Sequence, residues 1–214
     1  MVTKGLFKMK KFLGTIISII VILSIIVGGA YYIYFYPSTE VKSLDSNVSI
    51  NQLEIIKKFI PNNANFSFRN ISIDSDVKFS EEEITDLAIM AISDIEGIKE
   101  NINGILVDIE NNEIKLIVNA KYKFIPVEIN LMFDCRSEDG DAVLHYKKGN
   151  IGFISISKEK IFQGIKENKW IKIDKENGDI IVTLDTIDGL EITDVKAEKD
   201  NIELSIHGDI SLFK

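Results

Sequence analysis

Cysteine occurs once in the 214 residues, at Cys135, and histidine twice, at His145 and His207. A single cysteine excludes an intrachain disulfide, so a folded domain here is held by its core and not by the covalent staples of small secreted scaffolds. Two histidines without nearby cysteines do not make a zinc set. No serine lies in a G-x-S-x-G elbow, the arrangement that would set a nucleophile beside its base. Each histidine also falls on the parity opposite its strand's main apolar set, which predicts two solvent-facing rings. The run Asp174-Lys175-Glu176-Asn177-Gly178-Asp179 places glycine fifth where an EF-hand loop needs it sixth, and no glutamate closes it at the twelfth position. Gly149-Asn150-Ile151-Gly152 lacks the glycine count and helix context of a phosphate loop. The sequence therefore supplies no expected catalytic residue, metal ligand or cofactor site.

Acid is missing from the start of the chain. Lys4, Lys8, Lys10 and Lys11 precede 25 consecutive uncharged, mostly apolar residues from Phe12 to Tyr36. At 1.5 Å rise per residue a helix of that length crosses a hydrocarbon core of about 30 Å with some tilt. Lysines on its N-terminal side predict a cytoplasmic tail (1–11), a span (12–36) and everything after Pro37 outside the cytoplasm. Tyr31, Tyr32, Tyr34, Phe35 and Tyr36 crowd the far end, where amphipathic rings favour the headgroup level. A cleaved signal peptide has the same order of features, and Gly28-Gly29-Ala30 offers a cut. The apolar run before that point exceeds the usual 7 to 15 residues, and the aromatics suit an interface better than a mature N-terminus, so a retained anchor is the expectation.

With the four tail lysines set aside, 21 basic residues face 33 acidic ones, and the outer part carries a net charge of −12. Such a charge repels nucleic acid and the anionic face of a membrane, and nucleic acid is excluded as a partner. Solubility is the preferred account of the excess, ahead of cation capture. Residues 38–214 are enough for one domain, or a two-lobed one, with a real core.

Residues 37–48 are polar and read as a stalk, followed by an external domain over 49–214. Ser49 and Gln52 have capping-box spacing for a first helix that Pro61 stops. Phe66 and Phe68 give way to Ile71 and Ile73 on the opposite parity, which suggests a strand with a bulge at Arg69 or Asn70. The firmest helix signal opens at Ser80, with Glu83 at the box position and Ile84, Leu87, Ala88, Ala91, Ile92 and Ile95 at helical spacing until Gly97. From Gly104 the apolar period is two. Ile114 to Phe124 reads as one long strand that Pro126 bends, with Ile129, Leu131, Phe133 and an inward-facing Cys135 beyond it. Turns are expected at Ser137 to Asp141, Asn177-Gly178 and Asp200-Asn201, a further helix at Ser157 carrying Ile161, Phe162 and Ile165, and a last strand ending near Leu212. The fold class is α+β: an N-terminal transmembrane helix, then an extracytoplasmic, curved antiparallel meander packed on two or three helices and wrapped around the Ser80–Gly97 helix.

The C-terminal half resembles the YpmS-like family, small anchored proteins of low-GC Gram-positive bacteria. The likeness runs over residues 76–207 and is carried by "GFISIS" (Gly152 to Ser157), "WIKID" (Trp170 to Asp174), "IIVTL" (Ile180 to Leu184), "GLEI" (Gly189 to Ile192) and "DNIELSI" (Asp200 to Ile206). The family pattern has a proline where this chain has Ser157. The resemblance implies a single-pass anchor, an external α+β domain and no known catalytic residue.

A curved sheet with a helix inside has a groove along its mouth, for which the candidate lining is Leu87, Ala91, Phe124, Phe133, Phe153, Phe162 and Trp170. The leading expectation is a non-enzymatic, membrane-anchored envelope protein whose external domain binds a lipid, a wall component or a partner protein. One rival is a wall hydrolase using a carboxylate pair, for which Asp74/Asp76, Glu138/Asp139/Asp141 and Glu191/Asp194 are the available acids. The other is a structural module docked in a membrane complex.

Overall fold

The computed structural model describes residues 2–46, 58, 63–66, 70–93, 98–110, 112–163, 165, 167–168, 170–184 and 189–211. The chain divides into two compact units, Met1–Tyr36 and Pro37–Lys214. The first is a single helix, α1 (Val2–Tyr34), which starts earlier than expected and runs through the lysine tail. Its segment Thr15–Tyr34 is long and apolar enough to cross a membrane, and no side chain of that segment is buried. The Ser24 hydroxyl donates to the Ile20 carbonyl at 2.8 Å, so this polar group is satisfied inside the helix. At the C-terminal end Tyr36 stacks on Tyr32 (5.3 Å) and meets Tyr31 edge to face (6.2 Å).

The second unit is α+β and mostly antiparallel sheet. Period-two patterning and tight turns build a meander of β4 (Ile102–Glu110), β5 (Glu113–Tyr122), β6 (Ile125–Glu138) and β7 (Asp141–Ile151). Beyond β7 lie β10 (Asp179–Val182) and β9 (Ile171–Asp174); beyond β4 lies β1 (Lys42–Ser43); and β8 (Ile154–Ile156) pairs with the last residues of β7. Asp139 (φ 53°) and Gly140 (φ 85°) both take the left-handed region in the β6–β7 turn, which a Gly-containing pair does at little strain. A separate four-stranded sheet has the order β11 (Leu190–Glu198), β12 (Asn201–Ser211), β3 (Asn70–Ser80), β2 (Asn63–Phe66).

The main core fills the space between the two sheets. Val77 and Phe79 of β3, Ile192, Val195 and Ala197 of β11, and Ile202 and Ile206 of β12 meet Val107, Ile109, Ile114, Leu131, Phe133, Cys135 and Ala142 of the large sheet. The expected sheet wrapped around the Ser80–Gly97 helix is therefore replaced by sheet-on-sheet packing. That helix, α2 (Glu81–Ser93), instead lies along the part of β4 that the two-residue β1 leaves unpaired. The Val107 N–H donates to Thr85 Oγ1 at 2.9 Å and the Ile109 N–H to Glu81 Oε1 at 2.7 Å, so side chains of α2 occupy donors that an open edge would expose. Ile89 of α2 anchors a second cluster with Leu44, Ile105, Val118, Ala120 and Val127. The box at its start forms as expected: the Ser80 N–H reaches Glu83 Oε2 at 2.9 Å and the Glu83 N–H reaches Ser80 Oγ at 3.3 Å.

Three further sequence expectations change in the structure. Residues 37–46, read as a stalk, are laid on the sheet: β1 pairs with Gly104 and Ile105, Leu44 is buried, and a Cβ at Gly104 would stand 2.5 Å from the Lys42 carbonyl oxygen. The long strand over Ile114 to Phe124 ends at Tyr122, where Lys123 (φ 61°) and Phe124 turn the chain back into β6, so Pro126 sits in the returning strand opposite Lys121. The Ser157 helix is short, α4 (Lys158–Phe162), and Ser157 makes no side-chain cap. The Ser49–Pro61 helix except Lys58, Phe68 and the bulge position Arg69, Gly97 and Leu212 lie outside the described residues. A four-residue helix, α3 (Ile98–Asn101), leads into β4.

Candidate functional site

Three neighbouring strands bring one polar constellation together on the outer face of the large sheet. Phe133 and Cys135 of β6, Leu144 of β7 and Ile180 of β10 face the core, so alternation turns Arg136, His145 and Asp179 the other way. The register sets Asp179 opposite His145 and His145 opposite Asp134, with Arg136 two residues further along β6. Asp179 accepts from Arg136 Nη2 at 3.1 Å and lies 2.6 Å from His145 Nδ1. The same Arg136 nitrogen holds Glu138 at 2.8 Å. The Asp179 carboxylate is 9% exposed, against 40% for His145 and 43% for Arg136, so the acid is the buried centre and the two bases are its covers. Together with Asp139, Asp141, Asp174 and Asn177 from the adjoining turns these residues line an open cleft of about 520 Å³.

Partial burial would lower the Arg136 pKa, but hydrogen bonds and charge from Glu138 and Asp179 outweigh it and raise the guanidinium above its usual value. It is a permanent cation in a cleft whose other charges are acidic, a setting that draws cations and repels anions. An Asp–His pair orients an imidazole, as in hydrolytic triads, but that role also needs a nucleophile beside the ring. The described residues lining this cleft include no hydroxyl or thiol. Nor do the described residues hold a group of three or more His, Cys, Asp or Glu placed to bind a metal ion. Burial pushes the Cys135 thiol up, as suits an inert packing residue.

The residues read as a groove fall into separate environments. Phe133 is 6% exposed and Phe162 fully buried, both edge to face with Tyr146 at 5.8 and 6.2 Å. Leu87 is half-buried against the inter-sheet core, and Trp170 is half-buried just before β9. The Ala91 side chain lies outside the described residues. Phe124 and Phe153 go to the surface, 84% and 70% exposed. Period two assigns each to a face of a strand, but it does not say whether the chain continues past them or turns, and both stand in turns.

Sequence reasoning placed both histidines toward solvent and missed what they meet. His207 Nδ1 lies 2.7 Å from Asp74, 133 positions away, and His145 pairs across 34 positions. No local spacing carries such contacts; they follow from strand register alone. Comparison with protein-family models, with curated proteins and with solved structures finds no match.

Proposed function

We propose that this chain is a single-pass, membrane-anchored envelope protein, with its lysine-rich tail in the cytoplasm and the Pro37–Lys214 unit outside, and that the outer unit acts by binding a lipid, a wall component or a partner protein. The observation that carries this reading is the apolar segment Thr15–Tyr34, none of it buried. It is preceded by four lysines and ends in an aromatic cluster suited to the headgroup layer. The likeness of "GFISIS" through "DNIELSI" to the YpmS-like pattern supports the same assignment, and we place the chain with that family as part of the proposal. Protease added to intact protoplasts tests the topology: digestion of a C-terminal tag with survival of an N-terminal one supports it, and a protected C-terminus overturns it.

One observation favours a second reading, a carboxylate-dependent wall hydrolase: Glu138 and Asp179 share Arg136 at an open cleft. Against it, both acids are engaged by one guanidinium, whereas glycoside cleavage needs two carboxyl groups flanking the scissile bond in different protonation states. Release of soluble fragments from purified wall by the full chain, lost in Glu138→Gln and Asp179→Asn, would replace binding with hydrolysis.

A further inference from the structure

We infer that the β5–β6 and β7–β8 turns form a second membrane contact, in which Tyr122, Phe124, Ile125, Phe153 and Ile154 enter the interfacial layer of a lipid bilayer while Lys121 and Lys123 meet anionic headgroups. Met90 apart, these five are the exposed large apolar side chains among the described residues of the Pro37–Lys214 unit. They lie at one end of one sheet. Tyr122 pairs with Ile125 where β5 turns into β6, and Ile151, just before the Gly152-Phe153 turn, pairs with Ile129 of the same β6. Ile125 is thus four residues, roughly 13 Å, beyond the level of Ile151, and both turns project in that direction.

Two independent observations name a bilayer as the occupant. The first is where the chain enters this unit. The Ser38 and Thr39 N–H groups donate to Glu128 Oε2 at 3.0 Å each, and Asn119 Nδ2 donates to the Thr39 carbonyl at 3.1 Å. Asn119 and Glu128 face each other three residues from the Tyr122–Ile125 pair. Ser38 and Thr39, among the first residues of the Pro37–Lys214 unit, are therefore fixed to the same end of the sheet as the exposed rings. The second is charge. In a chain with 33 acidic residues, 116–127 and 149–157 contain none, while Lys121 and Lys123 stand exposed beside the tip and Lys123 Nζ lies 5.9 Å from the Tyr122 ring centre. Exposed aromatics with flanking lysines are the chemistry of an interfacial membrane contact. A turn of Lys123 and Phe124 without glycine puts a φ of 61° on a lysine and a phenylalanine in water, and burial of that ring in lipid removes the second of these penalties.

The inference rests on the proposed span, and the test separates the two. The full chain, carrying Cys135→Ala and one new cysteine labelled with an environment-sensitive fluorophore, is reconstituted in phosphatidylcholine–phosphatidylglycerol vesicles containing a lipid with a quencher on its acyl chain. Labels at Phe124→Cys and Phe153→Cys are expected to be quenched several-fold more strongly than one at Lys175→Cys in the β9–β10 turn, and Ile22→Cys reports the span. Quenching at position 22 with positions 124 and 153 no different from 175 overturns the second contact and leaves the tip for a protein partner. No quenching at position 22 overturns the span and the inference with it.

Discussion

Thr85→Val isolates the way α2 seals the large sheet. Thr85 is 2% exposed, and its Oγ1 accepts from the buried Val107 N–H at 2.9 Å on the β4 edge. Valine keeps the shape of threonine and removes the acceptor, leaving a backbone donor in a site that water does not reach. An unsatisfied buried N–H costs about 1–3 kcal/mol, and the methyl that replaces the hydroxyl returns up to about 0.8 kcal/mol of transfer energy, so a net loss of roughly 1–2 kcal/mol is expected. Thr85→Ser is the control, since it keeps the acceptor and loses a methyl of packing. Denaturant unfolding of the detergent-solubilised full chain gives the stability, and amide exchange at Val107 gives the mechanism. Valine is expected to speed exchange at Val107 beyond what its change in global stability explains, and serine is not. A Thr85→Val protein as stable as the parent, with the Val107 amide still protected, refutes the account of the edge.

Gly104→Ala drives a Cβ against the Lys42 backbone at 2.5 Å, so β1 is expected to leave β4 at a cost of about 1–3 kcal/mol, seen as faster proteolysis within residues 37–46. Burial pushes the Glu128 carboxyl up, but hydrogen bonds from Thr39, Asn130 and Ser38 outweigh it and hold it below the usual 4.5. The unfolded chain then takes up the proton first, so the stabilisation from Glu128 is fully present above about pH 4.5 and lost as pH falls through the native value. Protection of the Ser38 and Thr39 amides, measured against their intrinsic exchange rates at each pH, should fall over that acid range, and Glu128→Gln should flatten the response. Phe162→Ala empties a fully buried site against Tyr146 and should destabilise by about 3–5 kcal/mol in the same unfolding assay; a loss below about 1 kcal/mol would mean that α4 is not part of the cooperative fold.

Where adjacent residues decide a feature, the sequence alone determined it. The apolar run ending at Tyr36, the Ser80–Glu83 box and the turns at Asp139-Gly140 and Asn177-Gly178 are local chemistry, and each stands in the structure. Alternation also put Phe133 and Cys135 on the inward face. Alternation does not say what covers a face, because that depends on strands remote in sequence. The small sheet exists because β3 pairs with β12, Asn70 opposite Ser211, and its packing on the meander took the place that the sequence had reserved for a helix. The turn at Lys123-Phe124 was invisible for a different reason: the β5–β6 pairing puts Lys123 at a φ of 61°, which a lysine rarely adopts, and no glycine or asparagine marks the place. Tertiary structure thus decided which aromatics are core and which are surface. Phe133 and Phe124 sit in similar alternating runs, yet one is enclosed by the second sheet and the other is carried past the end of it.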